Sequence, residues 1–517
     1  MKTMKRLVSL GLALFMLAGV LTGCGNSGSK TTNYTDNEKE EVTLVMALPM
    51  AKQADTDAVI AEINKILEEK LPNTKLELLL DANMADKWSL WMNTSKKIDL
   101  AHSGYCTDLE NEVISGNYLE LDGLIEKYAP TLAKLREDYE ITYDTGEVAG
   151  ELYAVPNVQS YTQEGYFLQY MDALDPYLDT QTLKNEAWSS DKTTEKFWQT
   201  LTAGLDAAAA AGVDCSECVN LSMYYIAQRG YNFIGGADSN LCYDNSDDVK
   251  IIDFYTTEEF TTFCKYMKDW AAKGYVSKDV LTGQLNYKLH AATSGCFSVN
   301  QETGKKEKLL PTGSQMLYLQ NKEDRVLTTN IGEQKTYWSV PFSSEHPVRA
   351  IKFLDLLHSE EGAEIANLLA YGMEGKHYEF TDKENGDIKA FEYQSQGNAG
   401  VSYGIPCWMV SNMLQGLYTV EPYTHEVKEY ANDYYAGLGS VKKHVLYGCS
   451  FDTTSIRNQF SQLIKNNGEY AESVYSGIVA DSDSILKELL SKNKAAGQED
   501  IIKELQKQAD AFIASKK

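Results

Sequence analysis

Apolar residues run almost unbroken from Leu7 to Val20, behind a start that carries Lys2, Lys5 and Arg6, and the run closes in Leu21-Thr22-Gly23-Cys24. An apolar stretch this short, ending in small residues, reads as a secretory signal segment rather than a membrane-spanning helix. Residues 25–41 are Ser, Thr, Asn, Lys and Glu without apolar periodicity, the composition of a flexible tether. Beyond the tether the pattern becomes that of a folded chain. Val42 to Ala47 reads as a buried strand, and Val59, Ile60, Ile63, Ile66 and Leu67 recur at helical spacing until Pro72-Asn73 breaks the run. Lys75 to Leu80 is a second strand, so strand, helix and strand predict a right-handed parallel crossover. Ala85 to Ser95 predicts a helix and Lys97 to His102 a third strand, ending in Ser103-Gly104-Tyr105. Ligands of open parallel sheets sit beyond strand C-termini, which makes His102 to Tyr105 positionally interesting as a candidate site.

A short strand over Gly150 to Asn157 meets a proline-marked bend, and from there to about residue 290 the periodicity is mainly helical, including Leu201 to Ala211 and Thr257 to Lys273. Two short strands flank Asp244-Asn245-Ser246-Asp247-Asp248. That acidic turn lacks the alternating ligands, glycine and closing glutamate of an EF-hand loop, so it predicts a solvated turn. Ala291 to Val299 and Gln334 to Pro341 are strand-like, Pro347 opens a helix at a position where proline is tolerated, and Asp483 to Ser515 is one long helical stretch. The chain shows neither an internal repeat nor a Pro/Gly-rich linker, so it is expected to cross between interleaved domains more than once.

Composition narrows the class of partner. The formal charge of −26, from 74 acidic and 48 basic residues, disfavours binding to nucleic acid. Tyrosine is abundant, 33 against 15 Phe and 7 Trp, and its apolar ring with a polar tip suits a wet cleft as well as a core. Leu21-Thr22-Gly23-Cys24 resembles the bacterial lipobox, which implies a lipid-modified Cys24 at the mature N-terminus; two acyl chains at about 0.8 kcal/mol per buried methylene suffice for stable anchoring. Of the other cysteines only Cys215-Ser216-Glu217-Cys218 forms a close pair. Zinc would require two further ligands that no neighbouring Cys or His pair offers, so a local disulfide or free thiols are expected. No Gly-x-Ser-x-Gly elbow, His-Glu-x-x-His pair or phosphate-binding glycine loop occurs. Neither a catalytic residue, a metal nor a cofactor is expected.

Longer motifs carry a resemblance. Ser344-Glu345-His346-Pro347-Val348-Arg349-Ala350-Ile351-Lys352-Phe353-Leu354 is similar to the Pro-x-x-Ala-x-x-Phe-Leu helix start of the extracellular solute-binding proteins of bacterial ABC importers. Tyr371-Gly372-Met373-Glu374-Gly375-Lys376-His377-Tyr378 resembles the Tyr-Gly-Ile-Glu-Gly-Lys-His-Tyr segment of a subgroup related to the lipoprotein LplA. Trp408-Met409-Val410-Ser411-Asn412 looks like its Trp-x-x-Gly-Asn, with Ser411 in place of glycine. Gly448 to Asp452 and Lys494 to Gln508 resemble its C-terminal helical region, a domain of unknown function. The resemblance implies an α/β, two-lobed periplasmic-binding-protein-like fold with hinge crossovers and a helical C-terminal region. It also implies a carbohydrate or oligosaccharide as solute and ABC permease subunits as partners of a monomer held on the extracellular face of the membrane.

The expected organisation is a signal peptide over 1–24, a tether over 25–41, a first lobe from 42–156 plus 291–342, a mostly helical second lobe from 157–290 plus 343–450, and a C-terminal region, 451–517, packing on the lobes. A sugar cleft needs flat apolar faces for C–H bonds and polar groups for hydroxyls. The candidates are Tyr105 and Ser103 at the strand end, Trp88 and Trp91 in the preceding helix, Tyr161 after the crossover, Tyr231 beside Asn232, Trp338 before another crossing, and Trp408 with Asn412. Any one Trp among them suits core or hinge packing better than a sugar platform. Glu374 joins them as an acid that is more readily explained by a capping role. The competing reading is a surface-anchored glycan-processing enzyme, which would need two carboxylates across a glycosidic bond, a pair that no motif nominates.

Overall fold

The computed structural model describes residues 34–516 apart from 105, 160–166, 188–193, 221–229, 236–238, 278–287, 293–313, 320–325, 328–335, 393–399 and 422. A five-stranded sheet organises the first lobe. Val42–Leu48 is its second strand, paired in parallel with the edge strand Thr74–Leu80 on one side and the central Leu100–Ser103 on the other. Tyr337–Ser339 joins antiparallel to Leu100–Ser103, and Val155–Pro156 closes the far edge. The crossover helix Thr56–Lys70 buries Val59, Ile63 and Leu67, one residue per turn on a single face. Asp99 is fully buried at the mouth of the third strand, where its carboxylate accepts the Val45 N–H at 2.9 Å and the Ser344 hydroxyl at 2.8 Å.

Residues 347–371 cover this sheet, although they were expected in the second lobe. Pro347–Leu357 packs on Asp122–Tyr128 and Pro130–Asp138, and Ala363–Tyr371 packs on Thr56–Lys70. The reason is a helix with too much apolar surface for an outer position: Val348, Ala350, Ile351, Phe353, Leu354 and Leu357 are all buried. Arg349 is buried with them. Its guanidinium donates to Thr74 Oγ1 at 2.8 Å and to the carbonyls of Asn73 and Asn37 at 3.2 and 3.1 Å, which fastens the helix to the edge strand and to the first residues of the fold.

The second lobe has a sheet of its own, ordered Ser314–Tyr318, Phe167–Met171, Leu289–Ala292, Val219–Asn220. This corrects the expectation that 291–342 belongs wholly to the first lobe, because Ala291 is registered with Leu168 and Ser314–Tyr318 pairs with Phe167–Met171. The helices Glu195–Ala210 and Glu258–Ala272 close over the core, with Trp198 and Trp270 edge to face at 5.9 Å and Trp270 Nε1 donating to Thr202 Oγ1 at 2.9 Å. The Thr257 hydroxyl caps the second helix by accepting the Phe260 N–H at 3.2 Å.

The long C-terminal stretch divides into Ser482–Ala495 and Gln498–Ser515 at Gly497, whose φ of +93° ends one helix and opens the next. With Arg457–Tyr475 they form part of the second lobe: Ala471, Val474 and Leu489 join its core, while Phe460, Leu463, Ile501 and Leu505 pack on Ile234, Leu241 and Tyr243 of a small three-stranded sheet. A buried chain of amides registers them. Asn466 donates to Asn493 at 3.1 Å, Asn493 to Asn467 at 2.8 Å, Asn467 to Asn240 at 2.9 Å and Asn240 to the Asp253 carboxylate at 2.5 Å. Among the described residues no helix is long and apolar enough to cross a membrane.

Among the described residues, several segments are tied together where the lobes join. The Asn157 N–H donates to Thr336 O and Gln159 Nε2 to Thr336 Oγ1, both at 2.9 Å, and Val326–Leu327 pairs in parallel with Lys442–Lys443. Replacing Asn467 by Leu breaks two links of the amide chain and leaves buried groups on Asn240 and Asn493 without that partner, each at a cost of about 1–3 kcal/mol. Urea unfolding of the variant is expected to show a lower midpoint with a native far-UV spectrum; an unchanged midpoint would mean that the chain does not register the helices.

Candidate functional site

The candidate site follows from where the sheet ends. The parallel strands of the first lobe finish at Leu48, Leu80 and Ser103, and the hinge strand Val155–Pro156 runs out beside them into Asn157. Clefts of open α/β sheets form at such ends, next to the interlobe connections.

On one face of this edge three rings are layered. His102, in the third strand, is the sheet partner of Trp338, and the two rings lie 5.5 Å apart at 88°. Trp408, half-buried in the turn Cys407–Met409, meets His102 from the other side at 6.2 Å and 68°. Trp338 is fully buried and donates from Nε1 to Val410 O at 2.9 Å, so the inner indole fixes the backbone that carries the outer one. Asn157 reaches the same turn from the hinge, donating from Nδ2 to Trp408 O at 3.3 Å. Behind it His358, the last residue of the Pro347–Leu357 helix end, lies with Nε2 3.3 Å from Asn157 Oδ1 and Nδ1 2.9 Å from Leu354 O. Burial lowers the His102 pKa to about 3 and that of His358 to about 4, the latter against the opposing pull of the Leu354 carbonyl. Both rings are neutral.

The structure separates the candidate residues. Tyr105 and Tyr161 lie outside the described residues. Trp88 and Trp91 are core, 2% and 7% exposed, and Trp88 Nε1 is taken by Glu112 at 2.8 Å; the face they share is the buried one. Ser103 is fully buried and hydrogen-bonded to the Ser339 hydroxyl at 2.8 Å. Asn412 is fully buried too, and its Oδ1 accepts the Leu414 N–H at 2.9 Å, a turn within the segment that covers the sheet. Trp338 has no exposed face to offer. Tyr231 and Asn232 sit in the second lobe's small sheet, where the tyrosine hydroxyl donates to Glu259 at 2.6 Å and Asn232 donates to Asn245 at 2.9 Å. Glu374 is exposed and paired with Lys383 at 3.0 Å. Its motif is a clamp: Gly372, at φ +75°, leaves no room for a Cβ against His377, which accepts the Met373 N–H at 2.8 Å and lies 3.1 Å from Asp55 at the helix start.

Of the described candidates, therefore, Trp408 alone combines partial exposure with a place beside the hinge. Sequence reasoning marked His102 by its place at a strand end, without giving it a role, and passed over Asn157 and His358. Asn157 stood at a crossing, which was the available signal; His358 had none. Among the described residues two groups of side chains have the spacing of metal ligands, Glu120 with Asp122 and Glu151, and Asp382 with Asp387 and His425, and in each one carboxylate is already bonded to protein donors. Asp122 accepts from Arg136 and from the Leu152 N–H, and Asp387 accepts twice from His425. A surface concavity of about 360 Å³ lined by Thr56, Asn64, Leu76 and Leu78 lies at the opposite edge of the sheet, with Asn64 spent on the Leu76 backbone.

Known proteins share this architecture. Residues 445–514 match the family described as a domain of unknown function, DUF3502. A carbohydrate ABC transporter substrate-binding protein of Streptococcus pneumoniae is 23% identical over 534 aligned positions, covering 100% of both chains. The crystal structure of the N-glycan transport solute-binding protein NgtS from the same species superposes with a TM-score of 0.67 at 20% identity, over 92% of this chain and 100% of that one. An HMO-binding, ABC-transporter-associated solute-binding protein from Bifidobacterium longum infantis gives 0.54 at 12% identity, over 92% and 99%. The fold is that of the two-lobed solute-binding proteins, and these relatives are named as substrate- or solute-binding proteins.

The two neutral histidines make stability depend on pH with a definite sign. Above 6.5, the ordinary histidine value, their contribution is complete; below it the unfolded chain takes protons that the folded rings refuse until about 3 and about 4. Acidification should therefore cost about 1.4 kcal/mol per pH unit for each ring, while His425, whose pKa Asp387 raises, works in the opposite direction. Urea midpoints measured from pH 7 to 5 should fall less steeply for His358→Gln than for the parent chain. Equal slopes would show that His358 is not held neutral.

Proposed function

We propose that this chain is the solute-binding receptor of a carbohydrate importer: a monomer, lipid-anchored through Cys24 on the extracellular face of the membrane, that captures an oligosaccharide between its lobes and presents it to an ABC permease. The observation that carries this reading is likeness along the whole chain. Relatives named for carbohydrate transport match it end to end, and NgtS has been solved in complex with Man1GlcNAc and Man5GlcNAc. The local chemistry is consistent. Trp408 offers a partly exposed indole face beside the hinge, where the axial C–H bonds of a sugar ring can stack, and Tyr105 and Tyr161 remain candidates for the same cleft. An anionic, extracellular, tethered protein also suits a neutral glycan better than a polyanion.

A thermal-shift screen against a glycan panel that includes Man1GlcNAc and Man5GlcNAc tests the reading. A ligand at a hundred times its dissociation constant adds about 2.7 kcal/mol, and a panel without any shift would overturn the carbohydrate assignment. Two tryptophan variants then separate platform from core. Trp408→Ala should weaken binding while keeping most of the stability; Trp338→Ala should cost about 3–5 kcal/mol in denaturant unfolding, the usual loss for a large buried aromatic. The anchor has its own test in membrane fractionation of the host. Cys24→Ala should appear in the medium or stay unprocessed, and a mature, membrane-bound variant of unchanged size would argue against lipidation.

A further inference from the structure

His102 carries a cost that packing alone does not explain. Its ring is fully buried, and neither nitrogen has a hydrogen-bond partner among the described residues. Polar atoms buried in that state destabilise a fold, whereas an aliphatic side chain of similar volume would fill the position without the penalty. What an aliphatic chain lacks is a flat ring with a polarised edge. His102 stands at 88° to Trp338 and at 68° to Trp408, the edge-to-face arrangement that aromatic pairs prefer. The inner indole is immobile, being buried and bonded to Val410 O, two residues beyond Trp408. The imidazole thus braces the half-buried Trp408 against a fixed indole. Because burial keeps the ring uncharged, the contact is aromatic rather than cation–π.

We propose that His102 is the positioning residue for the Trp408 indole, setting the tilt of the face on which a sugar ring stacks before the sugar arrives. Preorganisation of this kind reduces the ordering cost that binding must overcome. The inference rests on the reading of Trp408 as a sugar platform. His102 itself touches no solute, since it has no accessible surface. It acts through its neighbour, and replacement of the ring should shift affinity and stability in opposite directions.

Calorimetric titration with Man5GlcNAc and Man1GlcNAc, paired with denaturant unfolding, tests this on the full mature chain. His102→Leu should raise the unfolding midpoint yet weaken binding about two- to tenfold, the worth of one aromatic pair expressed as affinity. His102→Phe, which restores a ring edge, should recover most of that loss. In a Trp408→Ala background His102→Leu should have no further effect on affinity. Should the leucine variant fail to fold, His102→Gln removes the ring while keeping a similar volume and serves the same comparison. If His102→Leu binds as tightly as the parent while Trp408→Ala does not, the positioning role is wrong and the platform reading stands. If Trp408→Ala itself binds at full strength, or neither glycan binds the parent chain, the platform reading falls and the positioning role falls with it.

Discussion

The rest of the molecule depends on how its backbone is satisfied where the chain passes between lobes. The described segments that meet there have little regular sheet to absorb their N–H and C=O groups, and buried backbone left unpaired is costly. The crossings solve this by bonding to each other and to the first lobe. The Asn157 N–H reaches Thr336 O, the His444 N–H reaches Leu327 O, and the Met413 N–H reaches Val158 O. The Tyr435 hydroxyl takes the remaining carbonyl of Gln159 at 3.0 Å. A small apolar cluster of Val158, Leu327, Leu414, Ala431 and Leu438 shields these bonds. Such a joint is tied by few bonds on few residues, which is how a hinge can rotate without disturbing either core.

How much of this could be read from the chain depended on the range of the interactions. The strand, helix and strand over residues 42–80 were legible because each buries a periodic face, and so was the crossing near Asn157, marked by Pro156. Lobe membership was not. Leu289–Ala292 and Pro347–Leu357 are an ordinary strand and helix locally, and only their partners, Tyr170 and Val219 for the one and the Asp122–Tyr128 helix for the other, assign them to a lobe. The candidate site suffered in the same way. Trp338 and Trp408 are equally aromatic in sequence, yet one faces inward from a strand and the other stands on a turn above it. Burial on a strand can be inferred from alternation; which of two layered rings reaches solvent cannot.

The C-terminal helices show a different logic. An apolar interface between helix and sheet tolerates sliding, since one aliphatic contact resembles the next. A file of carboxamides does not, because each must meet its neighbour with nitrogen to oxygen. The file from Asn466 to Asp253 ends on a carboxylate that also accepts the Tyr255 N–H at 2.9 Å, so every amide in it has its direction imposed by the last acceptor. Gly477 adds a steric stop, its missing Cβ lying within 2.3 Å of where Met267 O stands. The helical region of 445–514 is thereby built into the second lobe and would move with it.

Arg349 has a mechanical meaning. A protein held by its leading end feels every tug at the first residues of its fold, and here the Asn37 carbonyl is gripped by a guanidinium that is itself embedded beneath a helix. Beyond that grip the load enters Val42–Leu48, which has a parallel neighbour on each side. Force along such a strand acts in shear: its hydrogen bonds must yield together, where a strand peeled sideways from an edge would lose them one at a time. In the lipid-anchored receptor proposed above, the tether would thus join the fold at a point that is loaded in shear.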